Sequence, residues 1–336
     1  LINLQEISMN IYIRSSLILI FISTLVSSSV SADYTAHPDA QKFIDQVVSE
    51  HKLDRSDVLL ILQSANKQQS IIDAMNRPAE KVKTWAEYRK IFIQERRIDQ
   101  GIKFWLKNHE NLTRASKKYN VPPEVIVAII GVETSYGRNK GSYRVIDALT
   151  TLAFDYPKRS AFFTKQLKSF LLLCKEQNQD PLSLKGSYAG AMGYGQFIPS
   201  SYRSYAVDFD GDGYSDIWNN TADAIGSVAN YFFQHGWKVA EKVVVPAKFA
   251  MDYDQSIVNK LSLKKNIGDL KQLGFFPLQP LPDDDKALPL LLEAAKGKDF
   301  FLGLHNFYVI TRYNHSHLYA MAVHELSQLI LSRASQ

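Results

Sequence analysis

Residues 125–135 read Val125-Ile126-Val127-Ala128-Ile129-Ile130-Gly131-Val132-Glu133-Thr134-Ser135. This apolar run predicts a buried helix, because Pro122 and Pro123 suit its first turn and Gly137 suits its end. Glu133 then lies about three turns into the helix, where burial would disfavour the charged carboxylate and raise its pKa. A glutamic acid that stays protonated near neutral pH can donate a proton to a leaving oxygen. The run therefore favours a general acid at Glu133. The alternative is a buried glutamate paired with an arginine or lysine for structural reasons.

A glycine-rich segment follows at residues 185–200, Lys185-Gly186-Ser187-Tyr188-Ala189-Gly190-Ala191-Met192-Gly193-Tyr194-Gly195-Gln196-Phe197-Ile198-Pro199-Ser200. Glycines this dense, interleaved with tyrosines and a glutamine, suit a loop whose backbone approaches a ligand closely. Aromatic faces and amide groups match sugars, since a pyranose ring has an apolar C–H face and a rim of hydroxyls. The segment indicates a carbohydrate site, and the alternative is an ordinary glycine-rich turn between helices.

Together these segments resemble the membrane-bound lytic murein transglycosylase B family, glycoside hydrolase family 103. The similarity continues beyond them through residues 208–213 and 223–232 to residues 311–314. The blocks keep the family's order and cover nearly the whole chain after the leader. The resemblance implies a lysozyme-like helical catalytic core.

The resemblance also implies a reaction, namely cleavage of the β-1,4 bond between N-acetylmuramic acid and N-acetylglucosamine of peptidoglycan without water, leaving a 1,6-anhydromuramoyl end. Glu133 matches the family's single catalytic carboxylate. It would first protonate the glycosidic oxygen and then, as the carboxylate, remove the proton from the C6 hydroxyl as that oxygen attacks the anomeric carbon. The 2-acetamido carbonyl of the sugar would stabilise the cation between the two steps.

Two other functions remain open, a hydrolytic muramidase and a non-catalytic peptidoglycan-binding protein. A hydrolase would be expected to use a second carboxylate, and Asp147 and Asp155 are the nearest aspartates in sequence. Structural roles are expected for both, because Asp147 lies at a predicted helix start and Asp155 lies in a turn beside Lys158.

By the same resemblance, a set of residues would line the substrate cleft. Ser187 and Gln196 would hydrogen-bond the muramoyl sugar near the cleavage point. The other matched positions are Tyr88, Arg159, Tyr194, Tyr231, Tyr313, Asn314 and Tyr319. Lys158 stands where the family often has arginine, and Phe162 stands where a related enzyme has tyrosine. Both departures concern the preference for peptide stems more than bond cleavage.

The spacing Asp208-x-Asp210-x-Asp212-Gly213-Tyr214 matches the first half of an EF-hand calcium loop. The twelfth position is Asn219 instead of a bidentate glutamate, and by the resemblance Asp223 would close the shell. We therefore expect a structural calcium ion, bound by the carboxylates and by the carbonyl of Tyr214, and no organic cofactor. The alternative is an acidic surface turn that holds no ion. His315 and His317 lack a third nearby ligand and are expected to be polar rim residues.

Residues 1–32 are predicted to be a signal peptide with upstream residues. Met9 is a natural start, residues 17–22 form a short apolar core, and Val30-Ser31-Ala32 offers small residues at a cleavage site. An uncleaved anchor is the alternative. The single cysteine, Cys174, lies in an apolar helical run and is expected to be buried, so the sequence predicts neither a disulfide nor a lipid anchor. We expect a soluble periplasmic protein.

The hydrophobic pattern predicts a mainly α (α+β) chain. Its expected parts are an N-terminal helical region at 33–110, the catalytic core at 111–237, a small β-rich insertion at 238–310 and a C-terminal return to the core at 311–336. Strands are predicted at Val243-Val244-Val245-Pro246 and Phe307-Tyr308-Val309-Ile310, and a last helix at about residues 319–333.

The formal net charge of +5 suits an anionic polymer such as peptidoglycan. Basic residues are scattered among acidic ones and no nucleic-acid motif is present, so nucleic acid is not expected as a partner. We expect peptidoglycan strands as substrate, cell-wall synthases as candidate protein partners, and a monomer.

Overall fold

Helices make up most of the chain in the computed structural model, which describes residues 34–76 and 83–334. The predicted signal peptide lies outside the described residues. Within them the α-helices are α1 (Pro38–His51), α2 (Arg55–Ser64), α3 (Gln69–Asn76), α4 (Trp85–Phe92), α5 (Glu95–Lys107), α6 (His109–Tyr119), α7 (Pro123–Thr134), α8 (Val145–Phe154), α9 (Ser160–Glu176), α10 (Pro199–Tyr205), α11 (Thr221–Gln234), α12 (Ile267–Gln272), α13 (His305–Tyr313) and α14 (His317–Ala334). Short 3-10 helices lie at Tyr34–Ala36, Pro157–Arg159 and Gln255–Ile257. None of the described helices is long and apolar enough to cross a membrane.

Helix α7 is the centre of the helical core. It begins at Pro123, as the sequence predicts, and all residues from Val125 to Val132 are buried. Helices α5, α6, α11 and α14 pack around it. A helix that is contacted on all sides is apolar all round, which explains why α7 is not amphipathic.

Helix α7 ends at Thr134, three residues before the predicted Gly137. Ser135 has the left-handed conformation, with φ of 49°, and its N–H donates to the carbonyl of Gly131 at 3.1 Å. The N–H of Tyr136 donates to the carbonyl of Ile130 at 3.2 Å, which satisfies a second free carbonyl of the helix end. Glu133 is therefore the penultimate residue of the helix.

A second, smaller hydrophobic core lies under a five-stranded antiparallel sheet. Its strand order is β4-β6-β7-β3-β5. Its longest pairing joins β6 to β7 and runs from Leu288, which is paired with Gly303, to Glu293, which is paired with Lys298. The strands of the described chain are β1 (Tyr143–Arg144), β2 (Lys185–Gly186), β3 (Val244–Phe249), β4 (Lys265–Asn266), β5 (Phe275–Pro277), β6 (Lys286–Glu293) and β7 (Lys298–Gly303). Phe275, Leu302 and Ile267 are buried in this core. The sheet corresponds to the predicted β-rich insertion, whose boundaries stay a prediction.

One predicted strand is wrong. Residues 307–310 lie in helix α13, where Phe307, Val309 and Ile310 are buried and Tyr308 is partly exposed. A four-residue apolar run has no periodicity that separates a buried strand from a buried helix. The predicted strand at 243–246 is observed as β3, one residue later and longer.

The two-residue strands β1 and β2 position the glycine-rich loop, residues 185–197. Tyr143 pairs with Gly186, and isolated bridges join Gly186 to Met192 and Met192 to Phe197. Gly141 has a φ of 92°, and a Cβ there would lie 2.0 Å from the carbonyl oxygen of Gly186. The close approach of these two backbones therefore requires glycine at position 141.

Candidate active site

Glu133 meets a tyrosine from the far end of the chain. Helix α14 packs against α7 and places the hydroxyl of Tyr319 2.6 Å from Oε1 of Glu133, to which it donates a hydrogen bond. Tyr319 is buried, whereas Glu133 keeps a partly accessible surface. A carboxyl group that is crowded by protein and still reachable from outside is suited to act on a bound substrate.

The protonation of Glu133 follows from these surroundings. Burial raises the pKa of its carboxyl to about 7, and the hydrogen bond from Tyr319 partly opposes that rise by stabilising the charged form. The position at the C-terminal end of α7 also disfavours a negative charge, because the helix dipole is negative there. Glu133 can therefore be a neutral acid or a carboxylate near neutral pH.

Three tyrosines surround this carboxyl group. Burial raises the pKa of Tyr88 to about 12 and those of Tyr313 and Tyr319 well above the usual range, and the charge of Glu133 adds to the rise for each of them. Each hydroxyl is therefore neutral at physiological pH and can donate a hydrogen bond. No other carboxylate among the described residues contributes to these three shifts.

The end of α7 is held from two sides. Arg97 donates to the carbonyl of Gly131 and, at 2.9 Å, to Oγ of Ser135. The hydroxyl of Thr134 donates to the carbonyl of Tyr194 at 3.0 Å, which ties α7 to the glycine-rich loop. The residue beside Glu133 thus fixes the distance between the carboxyl group and this loop. Sequence reasoning missed Arg97 and Thr134, because their partners are 34 and 60 residues away and no local spacing signals such contacts.

The glycine-rich loop presents Ser187 and Gln196 in constrained conformations. Oγ of Ser187 accepts from the N–H of Ala191 at 3.0 Å, so its own hydrogen remains available for a ligand. Gln196 has a φ of 52°, and its Nε2 donates to the carbonyls of Gly193 and Lys140 at 3.0 and 3.2 Å. The amide nitrogen is thereby used, and Oε1 is left as the acceptor.

Two of the predicted tyrosines support the site through backbone contacts. The hydroxyl of Tyr313 donates to the carbonyl of Gly195 at 2.5 Å, and that of Tyr231 donates to the carbonyl of Arg312 at 2.6 Å. The two rings contact each other edge to face, with centroids 4.7 Å apart. Tyr313 thus joins the glycine-rich loop to α13. Asn314 follows it directly and is exposed.

Arg159 packs against two phenylalanines. It is exposed, and its guanidinium stacks over the rings of Phe162 and Phe163 at 4.5 and 5.2 Å. In the part of the chain that the structure describes, it shares no contact with Glu133 or the surrounding tyrosines. Lys158 beside it donates to Oδ1 of Asn76 at 3.4 Å.

The two nearest aspartates are held in other contacts. Asp147 is buried, forms two hydrogen bonds with Arg144 and accepts from the N–H of Asn66 at 2.9 Å. Asp155 accepts from the hydroxyl of Tyr34 at 2.7 Å and from the ammonium of Lys67 at 2.5 Å. Both arrangements agree with the structural roles expected from the sequence.

Four carboxylates converge in the metal loop, residues 208–223. Each of Asp208, Asp210, Asp212 and Asp223 offers an oxygen, and these atoms lie within 4.8 Å of one another. The first three residues are exposed and Asp223 is fully buried. Oxygen ligands alone are the donor set that a hard cation such as calcium prefers. The residues present therefore fit calcium.

The backbone of the metal loop wraps around the first of these carboxylates. Asp208 accepts from the N–H groups of Gly211 and Gly213, both at 2.7 Å. The N–H of Tyr214 donates to Asp212 at 2.9 Å, and the carbonyl of Tyr214 accepts from the N–H of Asp216 at 3.2 Å. The carboxylates are thus held in place by the loop itself.

Comparison with known proteins agrees with this geometry. Residues 35–328 match the family described as the transglycosylase SLT domain. The Membrane-bound lytic murein transglycosylase B of Escherichia coli (strain K12) is 45% identical over 310 residues, which are 90% of this chain and 85% of that protein. These similarities confirm the resemblance predicted from the sequence.

Two solved structures share the fold. Soluble lytic transglycosylase SltB1 from Pseudomonas aeruginosa is 50% identical, covers 89% of this chain and 100% of its own, and superposes with a TM-score of 0.85. The Escherichia coli lytic transglycosylase Slt35 in complex with calcium is 45% identical, covers 91% of this chain and 96% of its own, and has a TM-score of 0.83. The predicted mainly helical, lysozyme-like fold class is confirmed. The chain therefore belongs to the transglycosylase SLT domain family, and it is a lytic transglycosylase.

Proposed function

We propose that this enzyme cleaves the β-1,4 bond between N-acetylmuramic acid and N-acetylglucosamine of peptidoglycan without water, with Glu133 as its single acid and base. The observation that carries the proposal is a partly accessible carboxyl group with a pKa of about 7 that is held by a tyrosine hydroxyl. The name of the Escherichia coli relative supports the substrate, since murein is peptidoglycan.

The first step requires a proton at the glycosidic oxygen. Because Tyr319 donates to Oε1 of Glu133, the proton of the neutral acid belongs on Oε2. Oε2 transfers that proton as the bond between C1 and the glycosidic oxygen breaks, and the electron pair of the bond leaves with the oxygen. The 2-acetamido carbonyl of the muramoyl sugar stabilises the cation that remains.

The second step uses the same group in its charged form. The carboxylate of Glu133 removes the proton of the C6 hydroxyl while that oxygen bonds to C1, which closes the 1,6-anhydro ring and restores the neutral acid. Tyr319 stays neutral because burial raises its pKa, so it still donates to the carboxylate. One group with a pKa near working pH can therefore serve both steps.

The contacts of the carboxylates in the described residues support this scheme over hydrolysis. Most glycosidases use a pair of carboxyl groups on either side of the bond. Among the described residues, Glu133 is the only carboxylate whose charge acts on Tyr88, Tyr313 and Tyr319. Asp147 and Asp155 are bound to basic side chains.

We assign the remaining residues to binding. Oε1 of Gln196 and the hydroxyl hydrogen of Ser187 would contact the muramoyl sugar, and Tyr88 and Tyr194 would offer ring surface to the glycan. Tyr231, Tyr313 and Tyr319 would shape the cleft, with Asn314 at its edge. Arg159, which is exposed, would contact a peptide-stem carboxylate.

Calcium and location complete the proposal. The acidic cluster supports a structural calcium ion in the metal loop, bound by the four carboxylates and the carbonyl of Tyr214.

The enzyme would work in the periplasm, because its substrate lies there. The predicted signal peptide would export it, and the monomeric state and the cell-wall synthases as partners stay predictions.

The proposal is tested with Glu133→Gln, which keeps the shape of the side chain and removes the acid. Release of soluble fragments from purified peptidoglycan should fall by at least about a thousandfold, while binding to the insoluble polymer persists in a pull-down assay. Glu124→Gln, at the other end of α7, is the matched control and should stay active. Near-normal turnover by Glu133→Gln would disprove the assignment, and an inactive wild-type protein that still binds would favour a binding protein.

A further inference from the structure

The carboxylates of the metal loop also anchor the turn that follows them. Oδ2 of Asp223 accepts from the N–H of Asp216 at 2.7 Å, and its Oδ1 accepts from the N–H of Phe209 at the same distance. Asp216 in turn accepts from the N–H groups of Trp218 and Asn219, both at 2.9 Å. The 216–219 turn is therefore fixed by a residue that belongs to the acidic cluster.

Two contacts lead from this turn to the glycine-rich loop. The N–H of Tyr194 donates to the carbonyl of Ile217 at 2.9 Å. The ammonium of Lys140 donates to the carbonyl of Trp218, and it also lies 4.9 Å from the centre of the Tyr194 ring. Tyr194 is thus held by the turn on its backbone side and by Lys140 on its ring.

Lys140 completes the connection through its own backbone. Its carbonyl accepts from Nε2 of Gln196 at 3.2 Å. Every link from Asp223 through Asp216, Trp218 and Lys140 to Gln196 is therefore a hydrogen bond or a shared residue. Neither the motif of the metal loop nor that of the glycine-rich loop includes Lys140.

Occupancy of the metal loop should act on this connection. Four like charges within a few ångströms repel one another, and a bound cation replaces that repulsion with attraction. Asp223 faces the cluster and the 216–219 turn at once, so a change in its position is transmitted to the turn. Hydrogen bonds of this length tolerate little displacement before they weaken.

We propose that Lys140 is a positioning residue through which cation binding in the metal loop sets the orientation of Gln196, and with it the affinity for the glycan. This inference rests on the proposed function, since it requires calcium in the metal loop and Gln196 at the sugar. It adds a role for Lys140 and makes the calcium ion a determinant of substrate affinity as well as of stability.

The test measures binding in the Glu133→Gln background, where the glycan is not consumed. A tetrasaccharide of two GlcNAc–MurNAc repeats is titrated calorimetrically into the full chain, with calcium and with a chelator. Chelation should weaken binding about tenfold. Lys140→Met should bind weakly in both conditions, and Lys140→Arg should restore part of the affinity because it keeps a donor for the Trp218 carbonyl. Lys296→Met, exposed between β6 and β7, is the control and should behave as the parent.

A double-mutant cycle tests the path itself. Asp212→Asn removes one charge from the cluster and keeps an oxygen for the N–H of Tyr214. If Lys140 transmits the effect, the Asp212→Asn/Lys140→Met protein binds the tetrasaccharide no more weakly than the weaker single variant. If the losses of affinity of the two single variants multiply in the double variant, the proposed path is overturned.

Separate titration with calcium distinguishes the remaining outcomes. Calcium that binds without changing the affinity for the tetrasaccharide overturns the coupling and leaves the proposed function intact. No calcium binding also overturns the coupling. Failure to bind the tetrasaccharide in every condition contradicts the proposed function itself.

Discussion

The hydroxyl of Tyr319 donates a hydrogen bond to Oε1 of Glu133 at 2.6 Å, across 186 residues of sequence. Burial raises the pKa of the Glu133 carboxyl to about 7, and this bond is the contact that opposes the rise. The pair therefore sets how tightly Glu133 holds the proton that, in the proposed mechanism, it donates and recovers.

Tyr319→Phe should move the pH profile upward. Without the donor the charged form of Glu133 loses stabilisation worth about 1.5–3 kcal/mol, so its pKa rises by about 1–2 units. Since the acid must be protonated for the first step, the alkaline limb of kcat/KM should shift to higher pH. Tyr88→Phe, which removes a neutral hydroxyl that does not hydrogen-bond to Glu133 in the described structure, is the control and should leave the limb nearly in place. An unchanged limb in Tyr319→Phe would refute the role of this bond.

Glu133→Gln should also change the pH dependence of stability. The pKa of Glu133 is raised from 4.5 to about 7 on folding, so the native state binds more protons than the unfolded chain between these values. Wild-type stability is therefore lost as pH rises through this window. The glutamine variant should gain about 1–3 kcal/mol over wild type above pH about 7, with the difference vanishing below pH about 4. Denaturant unfolding at several pH values measures it, and a constant difference would contradict the account.

Gly193→Ala should disturb the contact between the glycine-rich loop and the 216–219 turn. Gly193 has a φ of 69°, and a Cβ there would lie 2.4 Å from the carbonyl oxygen of Ile217. Gly297→Ala is the matched control, because its φ is 80° and nothing lies within 4 Å of the added carbon. The control should lose about 1–2 kcal/mol of stability from backbone strain alone. Gly193→Ala should lose more and should bind glycan more weakly. If thermal unfolding shows equal losses of stability for the two variants, the contact between the loop and the turn accommodates the added carbon.

Calcium should stabilise the folded chain. Binding to the native state alone contributes about 2.7 kcal/mol when the free ion is at a hundred times its Kd. The midpoint of thermal unfolding should therefore rise with added calcium and return to its starting value with a chelator. Asp210→Asn should remove most of this response, whereas Asp284→Asn, in an exposed turn outside the metal loop, should retain it. If added calcium leaves the midpoint of wild-type thermal unfolding unchanged, the acidic cluster holds no ion.

The sequence predicts a feature best when all the residues that form it lie close together along the chain. The apolar run before Glu133 specifies the central helix, and the alternating aspartates at 208–212 predict an acidic cluster, because both patterns are local. Residues 307–310 show the limit, since a short apolar run takes the structure that its surroundings impose. Within the described residues they pack as part of α13.

Much of the candidate site could be predicted only from the resemblance to a family, and some of it could not be predicted at all. Tyr319 was expected in the cleft because its position matches a family, and the sequence does not indicate that its hydroxyl would meet Oε1 of Glu133. Arg97 and Lys140 belong to no motif, and their contacts join segments that are far apart in the chain. Only tertiary packing brings such partners together.

The central claim, cleavage without water by one carboxyl group, is tested most directly by digesting purified peptidoglycan in water enriched with heavy oxygen and weighing the released fragments by mass spectrometry. The account predicts anhydromuramoyl ends, lighter than reducing ends by one water and free of label, which disappear with Glu133→Gln. Reducing ends that carry the heavy oxygen would contradict it and identify a hydrolase.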